Sequence, residues 1–144
     1  KLVMVHAYPK YLKQTLDFPE TDPVAFFHHE REAFGFTHAD LGAIYLEQNG
    51  LSPEIVQAVL FHHEPEKNFH DPNLAAGIEV ADLLARYAGC SAGFEPAAEL
   101  EFGDWESLSG WKIIFAGDRS ENHYARASIH RSIDNLPSIL KGLL

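Results

Sequence analysis

Apolar residues recur at three- and four-residue intervals along most of this chain, and no alternating strand-type run occurs before its last third. The pattern predicts an all-α protein. In residues 1–16, Leu2, Val3, Val5, Tyr8, Leu12 and Leu16 keep mixed helical spacings around Pro9. Proline lacks an amide donor and crowds the preceding turn, so two short pieces with a break near Pro9 are expected. The opening KLVMVHAYP has no capping residue and reads as a chain entered in mid-helix, with upstream structure missing. DFPETDPVAFFHHEREAFG then offers a helix start at Thr21 or Asp22, Pro23 in the first helical position and a stop at Gly35.

In THADLGAIYLEQNG, Thr37 is placed to cap a three-turn helix, Asp40 is its capping-box partner three residues on, and Asn49-Gly50 ends it. Ser52 is the expected cap of the next helix, with Pro53 first, Glu54 complementing the dipole, and Ile55, Val56, Val59 and Leu60 forming its apolar stripe. That helix runs into AVLFHHEPE. Residues 65–72, bounded by prolines, read as a polar loop, and LAAGIEVADLLARYAG as a long helix over about 73–88 ended by Gly89. Beyond Cys90 the periodicity weakens into two short helical candidates and the apolar WKIIF, which is too short for its spacing to separate strand from buried helix. Residues 121–144 are helical again by pattern, with Pro137 expected to interrupt them.

With 144 residues, 46% hydrophobic and 22% charged, the chain suits one globular domain with its own core. Its formal charge of −10 and scattered Lys and Arg make a nucleic-acid backbone an unexpected partner. The single cysteine, Cys90, excludes an intrachain disulfide and fits a reducing, cytoplasmic compartment; no run reaches the ~18–20 apolar residues of a membrane span. No phosphate-loop or nucleotide-binding glycine pattern is present, and nothing pairs Cys90 with a catalytic base, so no catalytic residue is assigned.

Candidate chemistry lies among nine histidines and nearby carboxylates. His38, His62, His63 and Asp82 each fall on a predicted helix or its end, with apolar neighbours at helical spacing. Imidazoles and carboxylates converging from separate helices of a bundle can hold Zn, Fe or Mn. Each also has a simpler reading. Ile78 and Ala85 leave Asp82 near an apolar face, where its partner is a metal, a histidine or Arg86 one turn on, and an ordinary solvated Asp82–Arg86 pair is equally compatible with the spacing. His62 and His63 suit the negative end of a helix dipole, the reading that composition alone favours. His38, near a helix N-terminus, suits a neutral ligand or a partly buried structural histidine. His28 and His29, beside Glu30, Arg31 and Glu32, read as a solvated face.

FGFTHADLGAIYLEQNGLSPEIVQAVLFHHEPE followed by LAAGIEVADLLARYAG resembles the HDOD family, a branch of the HD-domain phosphohydrolase superfamily related to HD-GYP proteins. The pieces are Glu32 before Phe34-Gly35, Thr37 to Ala43, Gly50 to Glu54, His62-His63 and Ala81-Asp82. The resemblance covers residues 1–90 well and the rest loosely. It implies an HD-type helical bundle: one domain over 1–144, with 91–144 a C-terminal helical extension. In superfamily hydrolases, positions matching His38, His62, His63 and Asp82 help to hold a metal, while the His-Asp doublet lies on earlier helices that this chain lacks.

Two features depart from the pattern: the Gly-Tyr-Pro of cyclic-di-GMP phosphodiesterases is replaced by EPEKNFHDPN, and a tryptophan common before the Leu-Pro element is missing from QNGLSP. The resemblance therefore implies a bacterial, non-catalytic signal-transduction domain whose partners are receiver, GGDEF or similar signalling domains. Its alternative is a metal-dependent phosphohydrolase completed by upstream ligands, using Fe, Mn, Zn, Ni or Mg. An unrelated all-helical interaction protein would leave the spacing of these four residues without a reason.

Overall fold

The computed structural model describes residues 2–17, 23–87, 104–116 and 119–141, and every regular element among them is helical. The broken start is as expected: α1 (Leu2–Ala7) and α2 (Tyr11–Leu16) flank Pro9. α3 (Pro23–Phe34) begins on its proline and stops at Gly35, whose φ of 77° only glycine adopts without strain. α4 (His38–Gln48) is capped by Thr37, which has extended backbone and a complete capping box with Asp40. The chain leaves α4 through Gly50, at φ 75°. α5 (Pro53–Leu60) follows; of the expected stripe Val56 is buried, Val59 and Leu60 are half-buried and Ile55 is exposed, while Ala58 joins the buried face.

Ser52 holds the N-cap position of α5, but its side chain makes no capping bond. Its hydroxyl instead bonds the exposed Glu54 carboxylate and draws that group's pKa below its ordinary value. The loop after the histidine pair is better ordered than its composition implied. It contains a 3₁₀ turn, Pro65–Lys67, and buried Asn68, whose side-chain carbonyl accepts the His70 and Asp71 amides at 3.2 and 3.3 Å. α6 (Pro72–Tyr87) matches the long helix expected. The proposed stop at Gly89, Cys90 and the first helical candidate after it lie outside the described residues.

The WKIIF alternative resolves to helix: a 3₁₀ turn, Asp104–Ser107, leads into α7 (Ser109–Ile114). α8 (Arg119–Lys141) continues through Pro137, contrary to the expected interruption. The proline deletes one backbone donor only four residues before the helix end, so little helix is left downstream to destabilise.

Two apolar clusters organise the molecule. Met4, Tyr11 and Phe26 pack with Val5, Phe34, Phe36 and Leu41. Val80, Leu83, Trp105, Trp111 and Ile133 pack with Leu84, Leu108, Phe115 and Ile129. Helices α4, α5, α6 and α7 pack in succession between them through small buried residues, among them Ala43, Ala58, Ala75 and Ala76. Gly42 keeps α4 tight on α5, since a Cβ there would meet Val59 Cγ1 at 3.2 Å.

One buried carboxylate joins α6 to α7. Glu79 accepts the Gly110 amide at 2.5 Å and the Ser109 hydroxyl at 3.3 Å, taking up donors at the start of α7. Gly110 cannot carry a side chain, because a Cβ would lie 2.6 Å from both Ala76 O and Glu79 Oε2. Burial raises the Glu79 pKa, the Gly110 and Ser109 hydrogen bonds oppose that rise, and nearby Glu66 and Lys112 act in opposite senses.

A carboxyl with a raised folded pKa binds more protons in the native than in the unfolded chain. Its contribution to stability is therefore full below the ordinary value of 4.5 and is lost as pH rises through the folded pKa. Glu79→Gln keeps an acceptor for Gly110 and removes the titration. The variant is expected to gain thermal stability relative to the native chain as pH rises from below 4.5 toward neutrality. Melting curves across that range test it, and parallel curves for the two proteins would contradict it.

Candidate metal centre

The site begins with the turn between α3 and α4. Gly35 ends α3, and the Thr37–Asp40 box fixes the first turn of α4, with Asp40 Oδ2 accepting the Thr37 amide and hydroxyl, each at 2.8 Å. His38 thereby occupies the first helical position, where its backbone amide has no partner within the helix. Glu30, reaching from α3, supplies the acceptor: its Oε2 takes the His38 amide at 3.0 Å and the His38 Nδ1–H at 2.5 Å. The Tyr11 hydroxyl donates to its other oxygen.

Glu30 is 0% exposed, which corrects its placement on a solvated face with His28, His29, Arg31 and Glu32. Of that group, His28, Arg31 and Glu32 are exposed and His29 is half-buried. The buried carboxylate is stabilised by three donors and by the positive end of α4. Tyr11 stays protonated: burial, its bond to Glu30 and the Glu30 charge all raise its pKa.

A carboxylate only accepts, so the Glu30 bond assigns the His38 proton to Nδ1 and leaves Nε2 a lone pair. A carbonyl does the same for His62. α5 ends at Leu60, the chain turns over 61–63, and His62 Nδ1 donates to the Val59 carbonyl at 2.6 Å. The helix-end reading of AVLFHHEPE holds for one edge of His62, which caps α5, while its other edge faces the cluster.

His38 Nε2 lies 3.3 Å from His62 Nε2 and 3.0 Å from His63 Nε2. One ligand nitrogen from each of the three lies within 4.8 Å of the others. When His38 and His62 are both neutral, their Nε2 lone pairs face each other, an arrangement that a cation or a shared proton between them relieves. Nitrogens bound at about 2.0–2.1 Å to one tetrahedral ion are roughly 3.3–3.4 Å apart, so these separations fit a shared ion. The Glu30–His38 bond has the form of the carboxylate contact that, in metal sites, orients an imidazole and raises its basicity.

His38 and His63 are 7% and 6% exposed, while His62 is half-buried and forms the open side. Phe27 packs its ring 5.1 Å from that of His63 and edge-on to His38, closing the inner wall.

The structure brings together three of the four expected ligands. Asp82 is not in the group: its Oδ2 pairs with Arg86 Nε at 3.0 Å, the simpler of its two readings. Here the guanidinium is the buried member, 6% exposed against 38% for the carboxylate. Sequence reasoning missed Glu30, although a signal was present. It lies four residues after Phe26, three after Phe27 and four before Phe34, on the apolar face of α3.

Residues 1–65 match the HDOD domain family, consistent with an HDOD domain of the HD superfamily. The matched stretch holds α1 to α5 with Tyr11, Glu30, His38, His62 and His63, and ends before Asp82. No curated protein and no solved structure matches the chain.

Replacing Glu30 with leucine strands the His38 amide, the His38 Nδ1–H and the Tyr11 hydroxyl in an apolar interior, and is expected to destabilise the fold by about 3–5 kcal/mol. Glu30→Gln retains an acceptor and is expected to cost less. Urea unfolding measures both. A loss for the leucine variant of only about 0.5 kcal/mol, typical of surface changes, would contradict a buried anchoring role.

Proposed function

From an HDOD domain over residues 1–65, we propose that this chain is a regulatory module in which His38, His62 and His63 hold one divalent transition-metal ion. Its output is contact with a signalling partner such as a receiver or GGDEF domain, as the family resemblance implies. The observation that carries the metal reading is the convergence of three Nε2 atoms, two of them with tautomers fixed from behind by Glu30 and Val59.

An all-imidazole donor set favours Zn, Ni, Fe or Mn over Mg, which prefers oxygen ligands and retains its waters. A bound ion would supply Lewis acidity and a more acidic water. The chain's own residues hold the three imidazoles in place, shield them with Phe27 and leave the His62 side open. The non-catalytic reading draws on the HDOD resemblance, on the loop that replaces Gly-Tyr-Pro, and on Asp82, whose carboxylate is engaged by Arg86.

One observation favours the alternative, a metal-dependent phosphohydrolase with further ligands upstream. A cavity of about 440 Å³ lies beside the histidines, sharing Phe27 with them and lined also by His28, Arg31 and Lys67, whose donors suit a phosphate. Arg31 and Lys67, however, already face Asp40 and Glu64.

Calorimetric titration of the chelator-treated chain is expected to give one Zn²⁺ site and no Mg²⁺ binding. His62→Ala and Glu30→Gln should each weaken the Zn²⁺ site by about 10–100-fold with circular dichroism unchanged. Absence of a stoichiometric site would overturn the metal reading. Metal-dependent hydrolysis of a generic phosphodiester by the full-length protein, abolished by His62→Ala in a folded variant, would overturn the regulatory one.

A further inference from the structure

We propose a second ligand site, independent of the histidine cluster: a cleft between the end of α7 and the first half of α8 that binds a phosphate-bearing small molecule. The cleft has a volume of about 450 Å³ and is lined by Phe115, Asn122, His123 and Arg126, within the range of small-molecule sites. No carboxylate lines it among the described residues, although the chain as a whole carries a charge of −10.

Arg126 is the recognition element. Its guanidinium carbon lies 5.6 Å from the Trp111 ring and 5.4 Å from the Phe115 ring, so two aromatic faces hold the fork in place. Its Nε is sealed from solvent with no hydrogen-bond partner among the described residues. Among the described residues no carboxylate pairs with it, in contrast to Arg31 and Arg86. A guanidinium positioned by aromatic rings beside a cavity, with no counter-charge among the side chains described, is arranged for an anion from outside.

The neighbours fit the same ligand. His123 precedes Arg126 by three residues, on the same face of α8, and adds an imidazole N–H toward the cleft. Asn122 donates its side-chain amide to the Phe115 carbonyl at 3.0 Å, occupying an acceptor that would otherwise repel an anion at the rim. Phe115 adds an apolar wall for an organic group attached to the phosphate. A forked guanidinium and an imidazole donor side by side suit a tetrahedral phosphate, which presents several oxygens, better than a planar carboxylate.

Titration of the chelator-treated chain with phenyl phosphate, inorganic phosphate and benzoate tests the site, with the Trp111 indole N–H resonance as local reporter. Phenyl phosphate is expected to bind most tightly and to shift that resonance, inorganic phosphate more weakly, and benzoate least. Arg126→Gln should lose at least about 10-fold in phenyl phosphate affinity, and Arg126→Lys, which keeps the charge without the fork, a similar amount. His123→Ala, which leaves the Arg126–Trp111 stacking in place, should lose affinity with an unchanged fold. No binding by the native chain would overturn the proposal. So would equal affinity in Arg126→Gln and His123→Ala, or tighter binding of benzoate than of phenyl phosphate. Because the chelated protein has no metal at the histidines, these outcomes are independent of the metal reading.

Discussion

A carboxylate with no solvent exposure has to be answered from inside the protein, and Glu30 is answered three times, by the Tyr11 hydroxyl, the His38 amide and the His38 ring. The arrangement ties α2, α3 and α4 to one charge. It needs α3 to stop at Gly35, the chain to turn within two residues, and Thr37 to cap α4 so that His38 arrives at its first position. The same bond sets the His38 tautomer. Packing of this part of the chain and the placement of the His38 Nδ1 proton therefore depend on the same carboxylate, and a change at Glu30 acts on both.

The second half repeats the device with a different result. Glu79 on α6 is also a buried carboxylate that receives a helix start, here that of α7, but nothing behind it carries a ligand atom. Its role is to hold the Trp105–Trp111 cluster against α6, with Gly110 allowing the close approach. α6 thus joins a histidine-bearing half to a half built around two tryptophans, and the Arg126 cleft borders that second half at Trp111 and Phe115.

Local signals made much of the fold legible in the sequence. Pro23 and Pro53 mark helix starts, Thr37 with Asp40 forms the expected box, and Gly35 and Gly50 take the positive φ that their positions required. What failed depended on neighbours distant in sequence. Glu30 looked solvated because the residues on either side of it are polar, although its spacing from Phe26, Phe27 and Phe34 put it on the apolar face of α3. Asp82 had a metal, a histidine or Arg86 open to it as partner, and the structure pairs it with Arg86, whose guanidinium is the buried group. WKIIF was ambiguous over five residues until Glu79, thirty residues earlier, supplied an acceptor for the start of a helix. His38, His62 and His63 were legible as candidates; their convergence, a matter of ångströms, was not.

The central claim is that Glu30 and the Val59 carbonyl hold His38 and His62 as Nδ1–H tautomers, so that their Nε2 atoms, with that of His63, are presented to one cation. Long-range proton–nitrogen correlation spectra of the imidazoles, before and after one equivalent of Zn²⁺, test it most directly. The account predicts Nδ1 protonation of His38 and His62 in both spectra, with metal-induced shifts at all three Nε2 atoms. Protonated Nε2 on His38 and His62 in the metal-free chain, or Zn²⁺ shifts confined to other histidines, would contradict it.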